Sequence, residues 1–159
     1  MIKENINDFF NDTQRIGPFL GIDLGEKRVG LSISDRTQSI ASNYATIEKK
    51  KFSLFSLDLQ AIIDKEIICG IVIGLPLNMD GSEGPKCQST RHFAKNFSTI
   101  VNLPITFWDE RLTTVAAERS LLSADLSRKK RKRVVDSVAA VLILQNFLDR
   151  LKYIQHKNT

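Results

Sequence analysis

A chain of 159 residues with 42% hydrophobic content has the size and composition of one folded domain. No apolar run approaches the ~20 residues of a bilayer span, and the opening "MIKENINDFFNDTQRIG" has no apolar centre of the kind a signal peptide carries, so the cytoplasm is the expected address. Two separated cysteines, Cys69 and Cys87, exclude a disulfide framework and a zinc spacing, and the net charge of +5 is too small by itself to name a partner.

In chain order, residues 1–17 read as a loosely held extension. "FLGIDL" (19–24) and "RVGLSIS" (28–34) are strand-like, and the short "GEK" between them suits a tight hairpin with Gly25 at the turn. "NYATI" (43–47) predicts a third, shorter strand. Between Lys51 and Lys65, Phe52, Phe55, Leu59, Ile62 and Ile63 recur at helical spacing. The apolar residues from Ile67 to Leu75 do not alternate, as expected of a central strand covered on both faces, and Pro76 ends it before the loop "LNMDGSEG".

A second helix is predicted over 85–98 with Cys87, Thr90, Phe93, Ala94 and Phe97 inward. "ITFW" (105–108) predicts another strand, and Thr113 or Thr114 a cap for a third helix to about Leu122. The final segment "RVVDSVAAVLILQNFLDRL" is helical and apolar on nearly every side, which requires packing against the sheet. A meander of strands followed by alternating strands and helices predicts an α/β fold with a mixed sheet. The core domain is expected over 18–155, with 1–17 as an extension and 156–159 as a tail.

Three acidic positions stand in surroundings unsuited to charge. Asp23 closes the first strand, Asp109 and Glu110 follow "ITFW", and Asp136 lies early in the most apolar helix, where Ala140, Ile143 and Phe147 share its face. A buried carboxylate without a partner costs several kcal/mol or shifts its pKa until it is neutral. Each has a local explanation: Asp23 can cap the turn or pair with Lys27 or Arg28, Glu110 can pair with Arg111, Asp109 can cap a helix, and Asp136 can face a helix macrodipole. Gathering them around one cation accounts for all three together. Ligands in open sheets sit beyond the carboxyl ends of strands, and oxygen ligands with only His92 and His156 as imidazoles suit Mg²⁺ or Mn²⁺.

The run "RKKRKR", comprising Arg128, Lys129, Lys130, Arg131, Lys132 and Arg133, leads into the helix that carries Asp136. Cations there oppose the helix dipole. A polyanion lying across the site explains them, since Lys and Arg contacts to phosphate supply most non-specific nucleic-acid affinity; a solvated segment is the alternative.

The stretches "GIDLGEKRVGLSISD", "IVIGLPLNMDGSEGP", "DERLTT" and "VVDSVAAVLILQ" resemble, in order, the signature blocks of the YqgF/RuvX family of Holliday-junction resolvases, and together span most of 19–148. The resemblance implies an RNase H-like fold: a five-stranded mixed sheet, its first three strands antiparallel, flanked by helices. It also implies a metal-holding, catalytic carboxylate set at Asp23, Glu110 and Asp136, with Glu110 preferred over Asp109. The "GLPLNMDGSEGP" loop is the block most particular to this family; Gly74, Asn78 and Gly81 suit a shaped loop, with Asp80 in an Asx turn or lining the cleft.

The implied activity is divalent-metal-dependent hydrolysis of structured nucleic acid, either a four-way DNA junction or the small-subunit ribosomal RNA precursor at its 5′ end. In this reading the Arg128–Arg133 run holds flanking backbone, and Arg28 and Arg111 contact phosphate or orient carboxylates, with plain salt bridges as the alternative for both. A homodimer would suit a two-fold junction. The competing class is a nucleic-acid-binding factor of weak catalysis, against which the intact carboxylates argue. A sugar-kinase or actin-like ATPase, suggested by "GIDLGEKRVG", needs a second domain that 159 residues do not supply.

Overall fold

The computed structural model describes residues 1–13, 16–112 and 128–157, with the backbone alone for 128–137. The elements are α1 (Ile6–Asp12), β1 (Phe19–Leu24), β2 (Arg28–Ser34), β3 (Ala41–Glu48), α2 (Phe52–Glu66), β4 (Gly70–Leu75), α3 (Pro85–Ser98), β5 (Ile105–Asp109), a 3₁₀ turn (Glu110–Leu112) and α4 (Arg128–Lys157). The helix expected from Thr113 or Thr114 to Leu122 lies outside the described residues.

The five strands form one sheet in the order β3-β2-β1-β4-β5. β1, β2 and β3 are antiparallel neighbours, whereas β1 pairs with β4, and β4 with β5, in parallel. Parallel pairs need crossovers, and α2 and α3 supply them. The expected mixed α/β sheet is therefore the observed one. The hairpin between β1 and β2 closes where the Gly25 N–H donates to the Arg28 carbonyl at 2.9 Å.

Period-two alternation sorts the strand residues onto two covered faces. Leu20, Ile22, Val29, Leu31, Ile71, Ile73 and Ile105 pack with Phe55, Leu59 and Phe97 beneath α2 and α3. On the other face Phe19, Val72 and Trp108 pack with Ile143, Leu144, Phe147 and Leu148 of α4. α4 sits so low that a Cβ on Gly21 would lie 2.9 Å from the Leu144 Cβ and 3.3 Å from the Ala140 carbonyl oxygen. Here glycine permits close approach of a helix to the sheet.

Four local expectations are corrected. The first residues are not loosely held. Asn5 caps α1 by accepting from the Asn7 N–H at 2.8 Å, and Phe9 is fully buried, 5.3 Å from the Phe19 ring and 5.5 Å from that of Phe147. Gly70 makes the room: a Cβ there would lie 2.6 Å from the Phe9 Cζ. Residues 1–3 also line the outer side of β5, with the Lys3 N–H on the Ile105 carbonyl at 2.7 Å.

The third strand is longer than expected because its pairing with β2 continues through Ala41 and Glu48. β4 begins at Gly70 rather than Ile67, since Ile67 adopts a left-handed conformation (φ 55°, ψ 51°) that ends α2. Lastly, the basic run forms the first turns of α4 instead of preceding it, as the helix starts at Arg128. That helix continues to Lys157.

Candidate active site

Asp23 is the penultimate residue of β1 and is 7% exposed. It shares the α4 face with Gly21. Its cross-strand partner on β2 is Gly30, which sets no side chain opposite it. The parallel register that aligns Ile22 with Ile73 carries Asp23 alongside Gly74 at the carboxyl ends of β1 and β4.

Gly74 is where the second carboxylate arrives. A Cβ on Gly74 would lie 3.2 Å from the Glu110 Oε1 and would collide with the Ile143 side chain. Glu110 thus reaches back over β4 from the turn after β5, onto the face that carries Asp23. Any larger residue at 74 would fill the space the carboxylate occupies.

Asp109 goes the other way. As the last residue of β5 it alternates with Trp108, which packs toward α4. Its carboxylate is gripped by Arg111: the guanidinium Nη2 donates to Oδ2 at 2.8 Å, Nε donates to Oδ1 at 3.1 Å, and the Arg111 backbone N–H donates to Oδ1 at 2.9 Å. These bonds, chiefly the Arg111 side chain, hold the Asp109 carboxyl below its ordinary pKa. The geometry therefore separates the adjacent acids, with Asp109 in an ion pair and Glu110 toward Gly74.

Arg111 also donates to the Met79 carbonyl at 3.3 Å, tying the strand end to the loop after β4. That loop is shaped as its residues suggest. Gly81 takes φ +88° and donates to the Asn78 carbonyl at 2.8 Å, while the Asn78 N–H donates to the Ser82 carbonyl. The exposed Asp80 carboxylate accepts from both the N–H and the hydroxyl of Ser82, at 2.9 and 2.6 Å, which is the Asx-turn alternative.

Arg28 opens β2 on the same face as Gly30 and Ser32. Its Nη1 is buried without a hydrogen-bond partner among the described residues. An unsatisfied guanidinium nitrogen is costly, and an anion at this edge would satisfy it.

α4 runs antiparallel to β1: Phe147 lies by Phe19 near the strand's start, Ala140 and Leu144 lie over Gly21, and Ile143 lies over Gly74. Its seat is fixed by the buried Ser32 hydroxyl, which donates to the Ala140 carbonyl at 2.7 Å. No sequence signal marks Ser32 for this role, because the bond spans 108 positions. Residue 136 is one helical turn before Ala140, on the side toward the carboxyl end of β1. The side chains of Asp136 and of Arg128, Lys129, Lys130, Arg131, Lys132 and Arg133 lie outside the described residues.

Among the described residues no three His, Cys, Asp or Glu side chains form a metal-binding group. The described donors nevertheless suit a hard cation: both are carboxylates, one nearly buried at a strand end and the other accommodated by a glycine.

RuvC of T. thermophilus in complex with a Holliday junction substrate matches this fold with a TM-score of 0.54 at 10% identity, over 85% of this chain and 96% of its own. A further Thermus thermophilus RuvC structure matches at 0.50. A mixed five-stranded sheet in this order, with acids at its parallel strand ends, is an RNase H-like α/β fold. The model of the family described as "RuvX: Holliday junction resolvase" matches residues 17–150, and the chain belongs to that family.

Relatives named "Putative pre-16S rRNA nuclease" extend over almost all of the chain. That of Ruegeria pomeroyi is 52% identical over 152 residues, 96% of this chain and 99% of its own. That of Rhodobacter capsulatus is 53% identical, covering 97% of each. The protein is accordingly a nuclease, hydrolysing phosphodiester bonds. No described helix is long and apolar enough to cross a membrane.

Proposed function

We propose that the protein is a cytoplasmic, divalent-metal-dependent endonuclease that matures the 5′ end of the small-subunit ribosomal RNA precursor. The observation that carries this reading is the delivery of Glu110 over Gly74 to the α4 face at the strand ends where Asp23 stands. The substrate is that named for relatives sharing about half of the sequence over nearly its full length.

In this reading Asp23, Glu110 and Asp136 hold Mg²⁺ or Mn²⁺. The ion, when bound, supplies Lewis-acid charge at the scissile phosphate and makes water a better nucleophile for in-line attack on phosphorus. The chain's own residues do the positioning. The buried Arg28 Nη1 is a donor for a phosphate oxygen at this edge. Arg111 keeps Asp109 ionised and out of the site while bracing the loop after β4. The cations from Arg128 to Arg133 hold flanking phosphates.

The resolvase-like fold supports four-way DNA junctions as a second substrate. Two symmetric cuts would then need two copies of the site, supplied by a homodimer.

The test is cleavage of a 5′-extended 16S precursor fragment and of a labelled four-way junction, with Mg²⁺, Mn²⁺ or chelator. Metal-dependent cutting by the wild type that Asp23→Asn abolishes is the expected result. Equal binding by both proteins with no cutting of either substrate would leave a nucleic-acid-binding factor instead.

A further inference from the structure

On the sheet face opposite Asp23, a cleft of about 430 Å³ opens between α2, α3 and the hairpin turn at Gly25. It falls within the ~300–1,000 Å³ of small-ligand clefts. Its wall is aromatic: Phe55 is buried, Phe93 is half-buried, and Phe52, 38% exposed, packs edge-on to Phe93 with centroids 5.9 Å apart. Its rim carries Lys49, Lys50 and Lys86.

Both flanking helices begin here, since Phe52 and Pro85 both line the cleft. Neither α2 nor α3 has a side-chain N-cap or an acid in its first turn. Two uncapped N-termini thus add their positive ends to the lysines. Glu26 is the carboxylate among the lining residues, 3.8 Å from the Lys86 Nζ, and Lys50 lies 3.4 Å from the Asp58 carboxylate; both are exposed pairs that contribute little. Aromatic side chains beside a group of cations are the chemistry of single-strand binding: bases stack and phosphates pair.

We propose that this cleft holds an unpaired nucleic-acid segment flanking the bond that is cut. The inference rests on the nuclease reading for its substrate. Leu24, which lines the cleft, directly follows Asp23 in β1. A strand leaving the Asp23 face therefore reaches the aromatic wall by passing over the hairpin tip. The base stacks on Phe52, and its phosphates face Lys49, Lys50 and the two helix starts.

The experiment compares fluorescence anisotropy of a labelled duplex with and without an unpaired tail, in chelator so that nothing is cut. The tail is expected to tighten wild-type binding about tenfold, and Phe52→Ala to remove most of that gain. A Lys49→Gln/Lys50→Gln double variant should flatten its salt dependence. Thermal melts verify that the variants are folded. A tail that adds no affinity, a gain that survives all these substitutions, or displacement by polyglutamate but not by an oligonucleotide would overturn the proposal. Cleavage of the 5′-extended precursor fragment and of the four-way junction with Mg²⁺ is scored separately, so tail-dependent binding without cutting of either would overturn the nuclease reading and leave the cleft assigned.

Discussion

The Ser32 hydroxyl and the Ala140 carbonyl meet at 2.7 Å in a fully buried contact, joining the second strand to the last helix. The bond lies between the two regions that define the site, the end of β1 and the early turns of α4. Ser32→Ala removes the donor without adding bulk. It should cost about 1–2 kcal/mol of stability, read from urea denaturation. Cleavage should fall more than that loss of folded protein accounts for, because the helix loses its seat over Gly21. Activity unchanged at a temperature where the variant is fully folded would contradict that positioning.

Asp109 and Glu110 are adjacent acids with different surroundings, so equal substitutions should have unequal effects. Glu110→Gln should abolish metal-supported cleavage and weaken Mn²⁺ binding, measured by calorimetry without substrate. Asp109→Asn loses the bidentate ion pair with Arg111. It should retain most Mn²⁺ affinity while loosening the loop after β4, seen as faster amide exchange around Gly81. The reverse pattern would exchange the two roles.

Phe9 makes the N-terminal segment part of the core. Truncation of a buried aromatic costs about 3–5 kcal/mol, and Phe9→Ala should lie in that range because Gly70 on the sheet offers no side chain to fill the gap. A chemical-denaturation midpoint close to wild type would mean that α1 is dispensable to the fold.

Asp35 gives a pH signature. Its carboxylate accepts from the Ile40 N–H at 2.9 Å, the Thr37 hydroxyl and the Ser39 N–H at 2.8 Å. These bonds, the Ile40 N–H foremost, lower its pKa from 3.8 to about 2. A pKa depressed by folding means that the stabilisation is complete above the ordinary value and is lost as pH falls toward about 2. The stability gap between wild type and Asp35→Ala should accordingly be constant from neutrality to about pH 4 and shrink below it, as followed by circular dichroism.

Features set by short-range chemistry were legible in the sequence. The inward residues over 85–98 match α3, the short turn at Gly25 suits the observed hairpin, and apolar residues without alternation mark β4 as central. The candidate acids stood out because strand ends and an apolar helix are poor places for charge. Illegible features depended on partners far away in sequence. The insertion of Phe9 needs Gly70 and Phe147, and the extension of β3 needs pairing with β2. Ile67 shows a different limit: a β-branched residue in a left-handed cap is chosen against its own preference, so its strand-like composition misplaced the start of β4. The direction of Glu110 likewise depended on where β5 ends.

α4 is the last described element, yet its residues complete the packing against Phe19, Val72 and Trp108. A nascent chain not yet extended through this helix has already made Asp23 and Glu110, but on a sheet with one greasy face bare to solvent. Exposed apolar surface of that kind makes a partly folded chain prone to aggregate before it can be a hydrolase. Synthesis order thus acts as a safety catch, withholding cutting competence until α4 has been made and packed.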